Sequence, residues 1–337
     1  MRIRRSMSGL NKPFVLIPAA KDYLWGGNRL NDDFNKRIDV SPLAETWECS
    51  THPDGQSVVG SGAFAGQLLG DVLASCPEYL GSHPLAVTGG KAELPILVKF
   101  IDALQPLSVQ VHPDDEYALA HEGGLGKTEM WYVLDAKPSS SLVYGFSRDV
   151  TKGEVRRAVA DGSVGKMLNY VPVERGDVFY ISAGTVHAIG AGCLIAEIQE
   201  NSNLTYRLYD YDRVDKDGRK RELHVEKALE VANLHSSMEP RQPMRILKYK
   251  KGVARELLTR CKYFQVERMI LNTEGRELPE YRTAGNSCHA LLVTDGCGVL
   301  FGYGFSLNFF KGDCVFVPAE SIPLQIHGKA EILDVSC

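Results

Sequence analysis

The sequence predicts a mainly β chain made of two barrel-like units in tandem, with a few short helices among the strands. Three observations carry that reading. Short runs rich in β-branched and aromatic residues (Ile96 to Ile101, Leu107 to Val111, Met130 to Leu134, Val178 to Ile181, Leu194 to Ile198, Leu204 to Tyr209) are separated by Gly, Pro, Asp or Ser. Close spacing of that kind suits a barrel or sandwich. The stretch Gly176 to Ala183 (GDVFYISA) recurs as Gly312 to Ala319 (GDCVFVPA), a turn opening an apolar strand in both places, so one unit is present twice. Helical periodicity is confined to Phe64 to Leu80, Pro113 to Glu122, Thr151 to Asp161 and Leu223 to Leu234. In the last of these Val225, Ala228, Leu229 and Ala232 fall three and four apart.

With 337 residues the chain has room for two domains, each with its own core. Two prolines between Leu234 and Met244 break every periodicity, which sets an N-terminal domain at 1–240 and a C-terminal one at 241–337. A net charge of -4 offers no broad attraction to nucleic acid or an anionic membrane. The expected partner is a small molecule, and an anionic one needs a local cationic cluster. No run approaches the ~20 apolar residues of a membrane helix. Met1 to Leu10, with Arg2, Arg4 and Arg5, is not followed by the apolar stretch of a secretory signal, so a cytoplasmic location is expected; monomer and homodimer both stay open. Eight dispersed cysteines without a C-x-x-C pair read as reduced, buried small hydrophobes.

Chemistry concentrates in three segments. In Leu107 to Pro113 (LSVQVHP) strand alternation puts Gln110 and His112 on one face and Val109 and Val111 on the other. In Gly126 to Leu134 (GKTEMWYVL) Glu129 opens an apolar strand, where a carboxylate costs free energy unless it is paired, hydrogen-bonded or bound to a cation. After the Gly176 turn comes His187, a second imidazole at the end of a strand. Two imidazoles, a carboxylate and a carboxamide suit a divalent first-row metal such as Zn²⁺, with a position left for substrate or water. Eleven residues after Gly312 stands Pro323 where the first copy has His187, so one metal per chain is expected, with a C-terminal unit lacking ligands. His52, His83, His121, His224, His235, His289 and His327 read as structural or solvated.

These segments closely resemble the short type I mannose-6-phosphate isomerases of the cupin superfamily. The resemblance extends to Trp25 to Gly27, Ala44 to Trp47, His52 and Pro53, Glu197 to Ser202 and Thr205 to Asp212, and covers about residues 14 to 235. It implies tandem cupin (double-stranded β-helix, jelly-roll) barrels and an aldose–ketose isomerase. The implied reaction interconverts mannose 6-phosphate and fructose 6-phosphate through a metal-stabilised cis-enediolate. It also implies Gln110, His112, Glu129 and His187 as ligands of one Zn²⁺, and places Lys99, Lys127 and Arg207 at the family's active-site positions. Thr128 stands where many longer members carry Pro between the lysine and the glutamate. Their helical insertion before the last ligand has no counterpart here beyond Thr151 to Asp161.

Catalytic roles are expected for Arg207, Lys99 and Lys127, and substrate binding for Ser108, Arg207 and Lys99. Lys99 lies in so apolar a strand, Leu94 to Ile101, that it is either snorkelling or functional, and the resemblance favours function. A lysine serving as base needs burial or a neighbouring cation to lower its pKa. Alternation puts Arg207 on one face with Thr205 and Tyr209, where its fixed fork of donors suits phosphate or an enediolate. The charged run Arg213 to Arg221 reads as a solvated hairpin. Trp131 reads as packing, with Trp25 open between packing and stacking on sugar. A cupin metalloenzyme of another class, such as an Fe or Mn dioxygenase, and a non-catalytic sugar-binding cupin are the competing readings.

Overall fold

Antiparallel strands dominate the chain, as the short β-rich runs require. A computed structural model describes residues 11–215, 217–237, 245–275 and 277–337, and they fall into two compact units. The first unit takes the described parts of Ala20–Thr46 and Val98–Pro243. The second takes those of Met1–Ala19, Trp47–Leu97 and Met244–Cys337.

Two sheets build the first unit. The larger runs in the order β10 (Val178–Ile181), β7 (Glu129–Ala136), β12 (Cys193–Glu200), β5 (Ile96–Ala103), β3 (Glu45–Cys49) and β2 (Ala19–Lys21). The smaller runs β13 (Tyr206–Tyr209), β6 (Val109–Val111), β11 (His187–Ile189), β8 (Ser141–Phe146) and β9 (Leu168–Pro172). Alternation decides what lies between them. From β7, Trp131 and Val133 join Phe179, Ile181, Ile189 and Ile195 in one buried core. Val109 and Val111 point the other way, into a second core with Ala228 and Leu229 of helix α6 (Val225–Val231). Gln110, between those valines, is therefore left for the inner face.

The second unit is one ten-stranded sheet, in the order β14 (Leu247–Lys250), β15 (Val253–Arg260), β16 (Gln265–Asn272), β21 (Leu324–Ser336), β18 (His289–Gly302), β20 (Cys314–Val317), β1 (Phe14–Ile17) and β4 (Val58–Val59). Two strands lie off that path, β17 (Glu280–Tyr281) on β21 and β19 (Phe305–Phe310) on β18. Six of these strands, β20-β18-β21-β16-β15-β14, repeat the order β10-β7-β12-β5-β3-β2 of the first unit. The recurring octapeptide has the same hydrogen bonds in both copies. Gly176 and Gly312 sit at φ 93° and 96°, a left-handed conformation that favours glycine. Their N–H groups donate to Val133 O and Val293 O, at 2.9 Å each. Asp177 and Asp313 close the turns by accepting from the N–H groups of Glu174 and Phe310.

The observed units differ from the expected split at 240 and 241. Residues 11–19 and 47–97 join the C-terminal segment because β1 pairs with β20, Phe14 opposite Phe316 with their rings stacked at 5.2 Å. Such long-range pairing leaves no local trace in sequence. The proline-rich boundary lies largely outside the described residues, as do Arg2, Arg4 and Arg5.

Helices form where periodicity was expected, with trimmed ends. They include α4 (Asp115–Glu122), with Asp114 accepting from Tyr117 N–H at its start, and α5 (Lys152–Ala160), opened by a Thr151 and Glu154 capping box. The expected helix over Phe64 to Leu80 is broken. Gly66 sits at φ 87°, α2 spans only Leu69–Ser75, and Pro77 forces a new short 3₁₀ turn. Short α1 (Arg29–Asp32) and α3 (Ser82–Val87) carry too little periodicity to be read beforehand. Among the described residues no helix is long and apolar enough to cross a membrane. The cysteines are free thiols, five of them buried.

Candidate active site

Strand register brings three of the expected site residues abreast. On the five-stranded sheet Gln110 of β6 faces His187 of β11 on one side and Arg207 of β13 on the other. His112 follows β6 with no change of face. Glu129 comes from the six-stranded sheet, where it opens β7 opposite Ile181 and Gln199. The polar cluster thus draws on both walls of the unit.

Both imidazoles are oriented by backbone carbonyls. His112 Nδ1 donates to Leu204 O and His187 Nδ1 to Thr185 O, each at 2.8 Å. A carbonyl only accepts, so each proton is on Nδ1 and each Nε2 keeps its lone pair for a ligand. Those Nε2 atoms point at Glu129, His112 at 3.2 Å from Oε1 and His187 at 3.8 Å from Oε2. The Gln110 amide nitrogen lies 3.5 Å from His187 Nε2. All three titratable groups are buried, with donor atoms within 4.8 Å of one another.

The electrostatics match a cation site. Burial, then the Lys127 ammonium, holds the His112 pKa down to about 3, and burial also lowers that of His187 against the pull of Glu129. Neutral imidazoles are the form that binds metal. Burial alone would raise the Glu129 pKa, but the charge of Lys127 overrides it and keeps the carboxylate ionised. Lys127 Nζ sits 2.6 Å from Glu129 Oε1, yet neither carboxylate oxygen accepts a directional hydrogen bond. A fully buried carboxylate left in that state, facing two unprotonated imidazole nitrogens, fits a divalent cation.

Lys99 is buried, neither snorkelling nor solvated: its Nζ is 3.1 Å from Glu197 Oε1 and 3.8 Å from Glu45 Oε2. Burial favours loss of its proton, but Glu197, Glu45 and Glu129 together outweigh burial and raise its pKa. Burial, then Glu129, pushes the Glu197 pKa upward, against Lys99 and Lys127. Trp131 is packed as expected, and it also donates from Nε1 to Glu197 Oε2 at 2.9 Å. Glu197 and Glu45 carry no spacing signal of their own. Only Lys99, an unexplained cation in an apolar strand, pointed toward such partners.

Arg207 is half-buried on the face it shares with Thr205 and Tyr209. It donates to Ser108 Oγ at 3.3 Å and Glu222 O at 3.0 Å, and its pKa is lowered by burial, then by Arg221. The run Arg213 to Arg221 does form a hairpin, bridged between Val214 and Lys220, but it is not merely solvated. Buried Asp210 accepts from Arg221 at 2.6 and 2.8 Å and from Arg213 at 2.7 Å, which gathers these arginines beside Arg207. No sequence pattern announced Asp210.

A cleft of about 270 Å³ reaches this assembly at Gln110 and Lys127. Lys99, Lys127, Arg207 and Arg221 line it against two carboxylates, Glu45 and Glu197, with Ser108, Gln110 and Trp25. Cations outnumber anions two to one, which favours an anionic ligand. The loop carrying Lys127 is held from behind by Glu200, accepting from Thr128 N–H at 2.7 Å, and by Ser202 Oγ, donating to Leu125 O at 3.0 Å. At Gly126 a Cβ would lie 2.4 Å from the Asp114 backbone, so only glycine permits that loop its approach.

Residues 14–154 match the family model of the phosphomannose isomerase type I catalytic domain. The chain is 36% identical over 329 residues to a probable mannose-6-phosphate isomerase of Bacillus subtilis, covering 96% of this chain and 99% of the relative. It is 43% identical over 223 residues to a mannose-6-phosphate isomerase of Streptococcus mutans, 66% of this chain and 68% of that one. The structure matches the crystal structure of a mannose 6-phosphate isomerase from Bacillus subtilis with a TM-score of 0.86 at 32% identity, covering 97% of this chain and 99% of that one.

Proposed function

The chain belongs to the type I phosphomannose isomerase family, and from that membership we propose that the cleft interconverts mannose 6-phosphate and fructose 6-phosphate. The single observation that carries this reading is the adjacency of a cation-ready cluster (Gln110, His112, Glu129, His187), which meets the cleft through Gln110, to the arginines that line the same cleft. The donor set of two imidazoles, a carboxylate and a carboxamide suits one Zn²⁺ per chain, adequate for a reaction without net electron transfer. When bound, such an ion supplies Lewis-acid stabilisation of the negative charge that develops across O1 and O2 in the cis-enediolate.

The side chains divide the remaining work by position. Arg207, with Ser108 and Arg221, holds the phosphate, since arginine forks pair with phosphate oxygens bidentately. Lys127, beside Glu129, donates to a sugar oxygen at the ligand end. Lys99 acts as a donor, since three carboxylates keep it protonated. The hydrogen that moves between C2 and C1 needs a lone pair, and Glu197, whose pKa burial and Glu129 raise, supplies it. Trp25 closes the apolar side of the cleft, and the enzyme works in the cytoplasm as a monomer or homodimer.

A coupled assay for fructose 6-phosphate, run before and after chelation with metal analysis of the purified protein, tests this. Turnover that follows zinc content is the expected result. A zinc-loaded enzyme without activity on mannose 6-phosphate would overturn it. Glu197→Gln is expected to abolish solvent hydrogen exchange at C2 of mannose 6-phosphate while leaving zinc bound; normal exchange would remove Glu197 as base.

A further inference from the structure

The chain leaves β13 through a strained turn that sets one carboxylate between two arginines. Tyr211 and Asp212 lie at φ 56° and 55°, a left-handed conformation that residues other than glycine adopt only at a cost. Across that turn Arg213 N–H donates to Asp210 O at 3.1 Å, and Arg213 Nη2 reaches Asp210 Oδ1 at 2.7 Å. Arg213 Nη1 donates to Pro106 O at 2.8 Å, which ties the turn to the segment leading to Ser108. The hairpin then returns Arg221 to the same carboxylate, with Nε 2.8 Å from Oδ2 and Nη2 2.6 Å from Oδ1.

Asp210 is buried, and burial alone would raise its pKa, but the bonds from Arg221 and then Arg213 overcome burial and keep it ionised. The donors left over point to a use. Arg221 lines the cleft, and because Asp210 takes two of its nitrogens, only Nη1 is uncommitted among the described residues. Arg207 lines the same cleft and keeps only Nη2, since Nε goes to Ser108 Oγ and Nη1 to Glu222 O. The two guanidiniums repel, as the lowering of the Arg207 pKa by burial and then by Arg221 records. The strained turn and the Asp210 bonds oppose that repulsion. Like charges held together, each with a donor to spare, fit an anion that takes both.

We infer that Asp210 is a positioning residue for the phosphate of the substrate, acting through Arg221, which it holds as a fixed fork beside Arg207. The inference rests on the reading of the cleft as a sugar-phosphate site. An exposed arginine gives up side-chain freedom when it meets phosphate, whereas one already held by two bonds has little left to lose. Asp210 never touches the substrate in this arrangement, and its effect is confined to the phosphate end. Phosphate is remote from C1 and C2 and is bound alike in the ground and transition states, so the loss of Asp210 falls on KM and not on kcat.

Calorimetric titration of the full-length, zinc-loaded protein with mannose 6-phosphate and with inorganic phosphate tests this, beside the coupled assay. Asp210→Asn is expected to weaken both ligands about 20-fold, to raise KM by a similar factor and to leave kcat within about twofold. Arg221→Met is expected to weaken them comparably, and the double variant little more than either single one, because the two residues act as a unit. Unweakened binding in Asp210→Asn, losses that multiply in the double variant, or a fall in kcat with phosphate still bound would each overturn the inference. Where circular dichroism shows Asp210→Asn unfolded, Arg221→Lys carries the test. Lysine keeps the charge without the fork, so the same loss is expected, and natural affinity would overturn the inference. Phosphate binding that weakens as expected in a protein without turnover would support the role of Asp210 and count against the isomerase reading alone.

Discussion

Each unit buries a carboxylate at the polar end of its sheet, Glu129 in the first and Asp334 in the second, and the two are satisfied to different degrees. In the first unit Glu129 is buried with both oxygens lacking a directional hydrogen bond, beside two unprotonated imidazole Nε2 atoms whose other contacts are long, to Lys127 Nζ at 3.4 Å and to the Gln110 amide nitrogen at 3.5 Å. In the second, Asp334 is buried to the same extent and takes three donors. The strand order is shared, but Asp334 faces Leu291 as Glu197 faces Trp131, so the two carboxylates differ in position as well as in partners. A buried carboxylate short of partners is costly unless a cation completes it, which marks a reactive site, whereas a satisfied one stabilises its unit.

The comparison is broken most severely from the first unit. His187→Ala is expected to reduce turnover by at least about 1,000-fold and metal content to background, because the cluster loses a neutral ligand on which charge stabilisation depends. The urea midpoint should barely move; full zinc occupancy would place the ligand elsewhere. Arg207→Ala is expected to lower kcat/KM by about 100-fold, or about 2.7 kcal/mol, with metal retained. Near-normal kinetics would detach the arginine cluster from the substrate.

Asp334→Asn probes the other side. Burial alone would raise this carboxyl, but His289 and Arg255 overcome burial and hold it down to about 2. Its stabilisation is therefore fully present above about pH 4 and is lost as pH falls through about 2. The variant is expected to unfold with about 2 kcal/mol less free energy at pH 7, the gap to the natural chain closing below pH 4, with turnover unchanged. A pH-independent gap would show that the ion network does not set it. The smallest effect is expected of Ser108→Ala, which removes one hydrogen bond to Arg207 and should raise KM about fivefold, roughly 1 kcal/mol, without altering zinc content. A fall in kcat instead would move Ser108 from binding to chemistry.

Much of this was legible in the chain itself. Alternation put Gln110 and His112 on one face, and the aliphatic partners Val109 and Val111 are indeed turned to the helix α6 side. The octapeptide repeat foretold two copies of one frame, down to equivalent turn hydrogen bonds. Other features were hidden. Glu197 and Glu45 meet Lys99 from strands distant in sequence, Asp210 gathers Arg213 and Arg221 across a turn, and His289, read as unremarkable, finds Asp334 45 residues away.

Sequence by itself determined the β character, the repeat and the ligand-capable residue types, because period-two burial, turn glycines and unexplained charges in apolar strands are local. Tertiary structure alone decided which charges face one another. It assigned residues 11–19 and 47–97 to the second unit through β1 and β20, and it separated an unsatisfied Glu129 from a satisfied Asp334. Hydrogen-bond partners and desolvation depend on strands brought together from across the chain, and no window of sequence contains them.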